Sequence, residues 1–500
     1  FFDMQNFWQN KTILPYHFRY PTFFSYLAFI PTTIGFIIFK LTSRVTTFTD
    51  LAFLQLFDNN LAIMPARLLS LGFGLGSIYL LYKLGKRFFN EKVGLLAALL
   101  LAISPLHIDY STLALPDMTM TFFALTSFYF CLQSLNDYKK IIFAFLFTGL
   151  VFTTKYNGIL IFIPIITAHL FYLHKNKLLD KPFKWINPTI IKGSLAFLGT
   201  FIIGTPGILL APKEYFLAFL FNLDHMSIGH LDAFGPNYIS HILLFWDNDK
   251  PLFILTILGL IYLIENRNKP NYLILIYTIL TFLYISSWQT KRLHYLLFLF
   301  PIFCLMASQF AIFVSEKIKF SNLKLSKFAS FLFLALIFGK IITFTKTTAA
   351  KNFTPDNREL TIQWIENNIP TEATIITHTF FEPKLLDIKT KKHLQNLEYS
   401  NRTIQTLNKR PAYNIIFLQE NFNWLKNQTA DLLILSHKIS NRYFTNYPPI
   451  DNPLYKDYND KNKFYTDFFD NSEKYGWKLE KVIDQNPSNF ISIYKHTSLY

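Results

Sequence analysis

The stretch from His294 to Ser315, HYLLFLFPIFCLMASQFAIFVS, decides the class of this chain. It runs 22 residues without a charged side chain. A bilayer core is crossed by about 20 apolar residues in a helix. Working outward, similar apolar runs lie at 22–39, 62–82, 93–106, 118–134, 141–152, 157–174, 193–211, 251–264, 271–287 and 328–345. The composition agrees with this pattern. Hydrophobic residues make up 51% of the 500, charged residues only 16%, and phenylalanine alone contributes 56. A soluble globule carries roughly 25% charged residues. The sequence therefore excludes a disordered chain, a collagen, a coiled coil and an ordinary soluble enzyme. It predicts an all-α polytopic membrane domain over residues 1–349. After Thr345 the chain turns polar, with short apolar strands, which predicts a smaller extracytoplasmic soluble α/β domain over 350–500.

Lysine and arginine placement sets the expected topology, because cytoplasmic loops collect both. If run 62–82 goes from outside to inside and each later run spans once, the chain has ten spans. The inside loops then hold 17 basic residues, including Lys175, Lys177, Lys181, Lys184 and Lys192. The outside loops between those spans hold Lys155, Lys213, Lys250, Lys291 and Arg292. Run 22–39 is then expected to be re-entrant or interfacial. The net charge of +16 would suggest nucleic acid in a soluble chain. Here the excess belongs to cytoplasmic loops, so no nucleic-acid partner is expected. Cys131 and Cys304 lie within apolar runs and read as small core residues rather than a disulfide.

The outer loops collect the polar residues that could carry chemistry. His107, Asp109 and Asp117 fall in the second loop, which contains no lysine or arginine. Asp117 reads either as a helix N-terminal residue or as a carboxylate facing an outer cavity, helping general-base chemistry or binding an acceptor. Lys155 sits between two apolar runs, either snorkelling to the interface or meeting an anionic headgroup. Lys291, Arg292 and His294 re-enter the membrane where a phosphate could be recognised by the arginine, or they anchor the interface, and His107, Asp109, Asp117, Lys155, Arg292 and His294 are expected to border a single outer-facing cavity. Tyr20, in Phe18-Arg19-Tyr20-Pro21, belongs to the first loop. His225 and His230 stand five apart in a stretch read as irregular, with no third ligand nearby, so no metal is assigned and a divalent cation has no support. Nucleotide-binding glycine motifs and a nucleophile elbow are absent from the sequence.

Across most of its length the chain resembles the polytopic C-type glycosyltransferases related to dolichyl-phosphate-mannose protein mannosyltransferases and the lipid A aminoarabinose transferase. The resemblance rests on Phe18-Arg19-Tyr20-Pro21-Thr22, Pro65-Ala66-Arg67-Leu68-Leu69-Ser70, Ser104-Pro105-Leu106-His107 through Leu115-Pro116-Asp117, and Thr154-Lys155-Tyr156. It continues through Gly204-Thr205-Pro206, Gly229-His230 and His294-Tyr295-Leu296-Leu297. In the tail it includes Arg358 to Ile365, Thr374-Ile375-Ile376, Ala430 to Ser436 and Phe490 to Lys495.

The resemblance implies a sugar donor linked to polyprenyl phosphate, consumed on the outer face of the cytoplasmic membrane by inverting displacement. The acceptor is a protein, a lipid or a glycan. It places Lys155, Arg292 and His294 at the donor phosphate. It also implies an acidic pair in the first outer loop. Phe1-Phe2-Asp3 resembles the stretch just after that pair, and Asp3 does not match it. A preceding span and the pair itself are therefore expected upstream of Phe1, residues 1–500 are expected to be deficient alone, and Asp117, Asp109 and His107 remain the carboxylate and imidazole candidates within the chain. The rival readings are a lipid-linked-sugar flippase and a non-catalytic membrane scaffold.

Overall fold

The computed structural model describes residues 2–43, 45–47, 59–230, 233–317, 356–378, 385–396, 401–444, 448–485 and 490–499, with residues 50, 53, 335, 339 and 342. The chain divides into two compact units. The first comprises Phe1–Thr32, Met64–Asp224 and Pro236–Ala349; the second comprises Thr33–Ile63, His225–Gly235 and Ala350–Tyr500.

The first unit is helical, although residues 33–41, 59–63 and 225–228, at the ends of three of its helices, fall in the second. Its elements are α1 (Phe2–Gln9), α2 (Phe23–Leu41), α3 (Asn59–Phe88), α4 (Glu91–Ala102), α5 (Pro105–Ser111), α6 (Asp117–Ser134) and α7 (Ile141–Phe152). There follow α8 (Phe162–Lys175), α9 (Pro188–Gly204), α10 (Pro212–Ile228), α11 (Ile239–Asn248), α12 (Lys250–Glu265), α13 (Lys269–Ser286) and α14 (Phe300–Lys317). Among the described residues, Phe23–Leu41, Ile63–Phe88, Tyr156–Lys175 and Leu293–Lys317 are each long and apolar enough to cross a membrane. A fifth span results if α4 and α5, which meet at 62°, are one broken crossing. The break falls at Pro105, whose missing N–H ends the incoming hydrogen-bond ladder.

Several of the runs expected as spans fold as shorter helices, such as α7 with 12 residues and α12 with 16. Run 22–39, expected to be re-entrant or interfacial, is a helix of 19 residues long enough to cross. Run 328–345 lies outside the described residues except for three isolated positions.

In the most apolar 18 residues of Leu293–Lys317, 78% are buried inside the protein, against 17% in those of Phe23–Leu41. A helix apolar all round must be covered everywhere, by protein or by lipid. Phe300, Cys304, Leu305 and Ala307 of α14 take the first solution and lie at the centre of the core. Without a hydrophobic drive between helices in lipid, close approach at small residues supplies the packing. At Gly149 of α7, a Cβ would press on Thr200 Oγ1 and the Phe197 carbonyl of α9, so this crossing needs glycine.

The second unit contains a five-stranded sheet in the order β2-β1-β3-β5-β4. Its strands are β1 (Thr374–Thr377), β2 (Asn414–Phe417), β3 (Leu432–Ser436), β4 (Trp477–Ile483) and β5 (Ile491–His496). β2, β1 and β3 are parallel; β5 runs antiparallel to β3, and β4 antiparallel to β5. β3 is buried throughout, which explains its unbroken apolar reading, LLILS. One face packs on Tyr458, Phe464, Tyr465 and Phe468, the other on Ile362 and Ile365.

Candidate functional site

α6 and α7 form a helical hairpin, which brings the first residue of α6 beside the loop that follows α7. That loop turns at Thr153 and Thr154, whose hydroxyls both bond back to the Leu150 carbonyl. Lys155 then adopts extended backbone, φ −150° and ψ 139°. Its Nζ reaches Asp117 Oδ1 at 2.8 Å, with both side chains only 7% exposed. Asp117 is the first residue of α6, preceded by Pro116 with no side-chain cap, so the carboxylate also sits at a helix N-terminus. Burial acts against the Lys155 charge. The Asp117 carboxylate and the Tyr20 hydroxyl outweigh it and hold the ammonium above the ordinary lysine value.

Two aromatic rings flank this pair, because Lys155 Nζ stands 5.7 Å from the ring centres of both Tyr20 and Tyr295. A cation over a ring face is stabilised by the ring quadrupole. The segment carrying Tyr20 is fastened nearby: Phe23 N donates to the Thr153 carbonyl at 3.3 Å. Tyr295 lies in the 3-10 turn Leu293–Leu299 that leads into α14. Its N–H donates to the Arg292 carbonyl at 3.1 Å. His294, in the same turn, stacks on Tyr110 of α5 with ring centres 5.3 Å apart. Arg292 is half-buried in extended backbone at the head of the turn. Both Arg292 and Asp117 act electrostatically on Tyr110 and on Tyr295, which places them in one neighbourhood.

Lys291 also organises this end of the bundle. Its Nζ donates to Asn237 Oδ1 at 2.7 Å and to the carbonyls of Ser286 and Trp288. Burial lowers it to about 8. Its three oxygen partners tie the end of α13 to the 237 segment and aim the following residue, Arg292. His241 lies close by, fully buried and lowered to about 4 by burial and by Lys291. The sequence reading gave Lys291 no role of its own and passed over Tyr110 and Tyr295 as site residues.

The remaining candidates are placed differently. His107 is buried in α5, and its Nε2 has no hydrogen-bond partner among the described residues. Asp109 is half-buried, and its carbonyl accepts from the Thr112 hydroxyl at 2.8 Å. His225 and His230 group with the second unit. Of the pair expected in an irregular stretch, His225 belongs to the last turn of α10, whereas His230 follows the helix in irregular backbone. Lys213, Glu214 and Asp224 interrupt that helix's apolar pattern and hide it in the sequence. The two rings meet edge to face at 5.2 Å. Gly229 between them has φ +102°, and a Cβ there would strike the Phe234 ring. Among the described residues there is no group of three or more His, Cys, Asp or Glu able to hold a metal ion.

A cavity of about 260 Å3 adjoins this end and is lined by Asp3, His17, Arg19 and Tyr20 together with Pro21, Phe24 and Pro116. Asp3 shapes it, accepting from the Tyr16 amide at 2.8 Å and from the Ser25 hydroxyl at 2.7 Å. The arrangement thus offers a buried charge pair, aromatic walls, a guanidinium and a recess of mixed polar and apolar lining, a set suited to an anionic ligand at a membrane surface.

Residues 45–198 match the dolichyl-phosphate-mannose-protein mannosyltransferase family. The fold is similar to that of ArnT from Cupriavidus metallidurans bound to undecaprenyl phosphate, with 12% identity, a TM-score of 0.51, and coverage of 98% of this chain and 92% of that one. It is equally similar to ArnT from the same organism in the apo state, with 13% identity, a TM-score of 0.50, and coverage of 100% and 92%. No curated protein matches the chain significantly in sequence.

Proposed function

We propose that this member of the C-type glycosyltransferase superfamily, related to the protein mannosyltransferases and the aminoarabinose transferases, transfers a sugar from a polyprenyl-phosphate donor to an acceptor by inverting displacement. The observation that carries the reading is the buried Asp117–Lys155 pair walled by Tyr20 and Tyr295, with Arg292 in the same neighbourhood. In the transfer, the acceptor hydroxyl oxygen attacks the anomeric carbon and gives up its proton to a carboxylate base, for which Asp109 is this chain's candidate, while the bond from that carbon to the phosphate oxygen breaks. The phosphate keeps the electron pair, so negative charge grows on the leaving group.

Arg292 is the group suited to meet that charge, because guanidinium pairs with phosphate through two parallel N–H donors. Lys155 adds a fixed positive centre whose position is set by Asp117, not by the ligand. A prearranged charge of this kind needs no reorganisation as the bond breaks. His294, stacked on Tyr110, is a neutral neighbour that can share the phosphate by hydrogen bonding. Asp117 and Asp109 lie on the acceptor's side. Asp117 orients the acceptor hydroxyl, and its bond to Lys155 Nζ fixes the carboxylate in place. His107 acts from the core, packing α5 against its neighbours. His225 and His230 are assigned no step.

The proposed setting is the cytoplasmic membrane, with residues 1–349 spanning it, the site at the outer face, and 350–500 extracytoplasmic. Reporter fusions after Lys140 and after Asn352 test that topology: the first should read inside and the second outside, and both on one side would reject it.

The test of the chemistry is steady-state transfer from undecaprenyl-phosphate sugars by the full-length protein, wild type and Arg292→Ala, in vesicles. A charge-assisted contact contributes about 1.5–3 kcal/mol. The donor KM should therefore rise roughly 10- to 100-fold, and kcat should fall as well if the contact tightens during departure. Unchanged KM and kcat in a normally expressed variant would remove Arg292 from the site. Donor binding without any transfer would favour a transporter instead.

A further inference from the structure

The far end of the same helices carries a second feature that sugar transfer does not use. Asp117 opens α6 and Ser134 closes it. Lys155 precedes the 20-residue helical stretch Tyr156–Lys175, and Lys175 ends it. Ser286 ends α13, where its carbonyl holds Lys291, and Lys269 begins that helix. At about 1.5 Å per residue, each of these helices separates its two ends by nearly 30 Å. The far ends meet around a cavity of about 160 Å3, lined by Ser134, Tyr138, Tyr172, Lys175, Asn176 and Lys269. The share of liquid volume taken by one water is about 30 Å3, so the cavity has room for a phosphodiester.

Its chemistry favours an anion. Among the described residues neither Lys175 nor Lys269 has a carboxylate partner. The nearby Asp137 is turned to its own chain, accepting from Lys139 N at 3.2 Å. Tyr138 and Tyr172 stack with ring centres 3.6 Å apart and form a rigid wall. The Tyr138 hydroxyl is fixed by His169 Nδ1 at 2.6 Å. The connecting segment 175–192 then supplies five lysines against one acid, Asp180. Within it Phe183 is 98% exposed and Ile186 71% exposed. Trp185 is fastened by its indole N–H, 3.2 Å from the carbonyls of Leu178 and Leu179. Exposed apolar side chains interleaved with lysines at the end of a membrane helix suit the headgroup boundary, where anionic lipid attracts each cation.

We propose that this end of the bundle binds an anionic phospholipid, whose phosphate enters the Lys175–Lys269 cavity while Phe183, Trp185 and Ile186 seat the adjoining segment among the acyl chains. The site is separate from the sugar-transfer site and does not depend on that activity.

The test is a titration of the purified full chain in neutral detergent with dioctanoyl phosphatidylglycerol, read by native mass spectrometry and calorimetry. Dioctanoyl phosphatidylcholine and inorganic phosphate serve as the comparison probes. Phosphatidylglycerol should saturate a single site. Lys175→Gln with Lys269→Gln should weaken it at least tenfold, and Phe183→Ser with Ile186→Ser by a smaller factor. Lys175→Arg with Lys269→Arg keeps the charge and should bind as the wild type does, which separates lost charge from lost folding. Equal affinity in the double glutamine variant, or equal affinity for phosphatidylcholine, would overturn the proposal. Inorganic phosphate binding as tightly as the lipid would overturn it in favour of a soluble anion.

Discussion

The two units solve the same problem, a buried titratable group, in opposite ways. In the helical unit, Asp117 and Lys155 are buried as ions and neutralise one another. In the sheet unit, His378 is buried as a neutral ring. The Ser436 amide donates to its Nδ1, its Nε2 bonds the Tyr465 hydroxyl at 2.8 Å, and that hydroxyl donates to Glu420. Each donor there meets an acceptor, so no charge is needed on the ring. Burial, with Arg442 and His437 adding to it, lowers His378 to about 3. A neutral relay of this kind holds strands together, here the ends of β1 and β3. A buried ion pair is a costly way to gain stability, since desolvation consumes most of the attraction. Its presence in the helical unit points to work that requires charge, which is the reading given to it above.

The largest effect expected from this contrast is at the ion pair. Asp117→Asn leaves an unpaired buried ammonium and should cost about 3–5 kcal/mol, read by thermal unfolding in detergent. Replacing both partners, Asp117→Leu with Lys155→Met, should recover most of that stability while transfer stays lost. A single variant that melts like the wild type would erase the contrast. Next comes Arg292→Ala, where the donor KM rises roughly 10- to 100-fold with little change in melting.

The relay gives a smaller, pH-dependent effect. An unfolded histidine takes a proton near pH 6.5, whereas His378 in the fold does so only near 3. Between these values the unfolded chain binds more protons, so the sheet unit loses stability as pH falls through 6.5. The slope contributed by His378 approaches about 1.4 kcal/mol per pH unit. Amide exchange at β1 and β3 followed from pH 7.5 to 5 measures it, and His378→Gln should flatten the dependence. The smallest effect is Gly229→Ala, about 1–2 kcal/mol, from a left-handed φ and the Phe234 ring. It should destabilise the His225–His230 turn without changing transfer.

Much of this architecture was legible because apolar length states burial directly. The run 118–134 became α6, and the strand Thr374-Ile375-Ile376 became β1 with Thr377 added. Elements with mixed patterns were not legible. α10 and α11 occupy the stretch read as a loop, since Lys213, Glu214, Asp224 and Asp247 break their apolar faces. For the site, Asp117 and Lys155 were expected at one cavity but given separate partners, although they bind one another across 38 positions. One signal could have joined them: a lone acid opens one apolar run, and a lone base follows the next, as an antiparallel hairpin would pair them. Lys291 offered no such signal, because two of its three partners are backbone carbonyls, which any sequence provides. Tyr110 and His294 meet only through the bend at Pro105 and the turn before α14, and neither position is fixed by periodicity.

The central claim is that the Asp117–Lys155 end of the bundle, with Arg292, serves a lipid-linked sugar donor. Its most direct test is release of undecaprenyl phosphate from a panel of undecaprenyl-phosphate sugars by the protein in its native membrane, comparing the wild type with Arg292→Ala and with Asp117→Leu/Lys155→Met. The full-length wild type should consume at least one donor. Arg292→Ala should lower kcat/KM at least tenfold, and the double variant, though folded, should release none. Release by the double variant at the wild-type rate would contradict the claim.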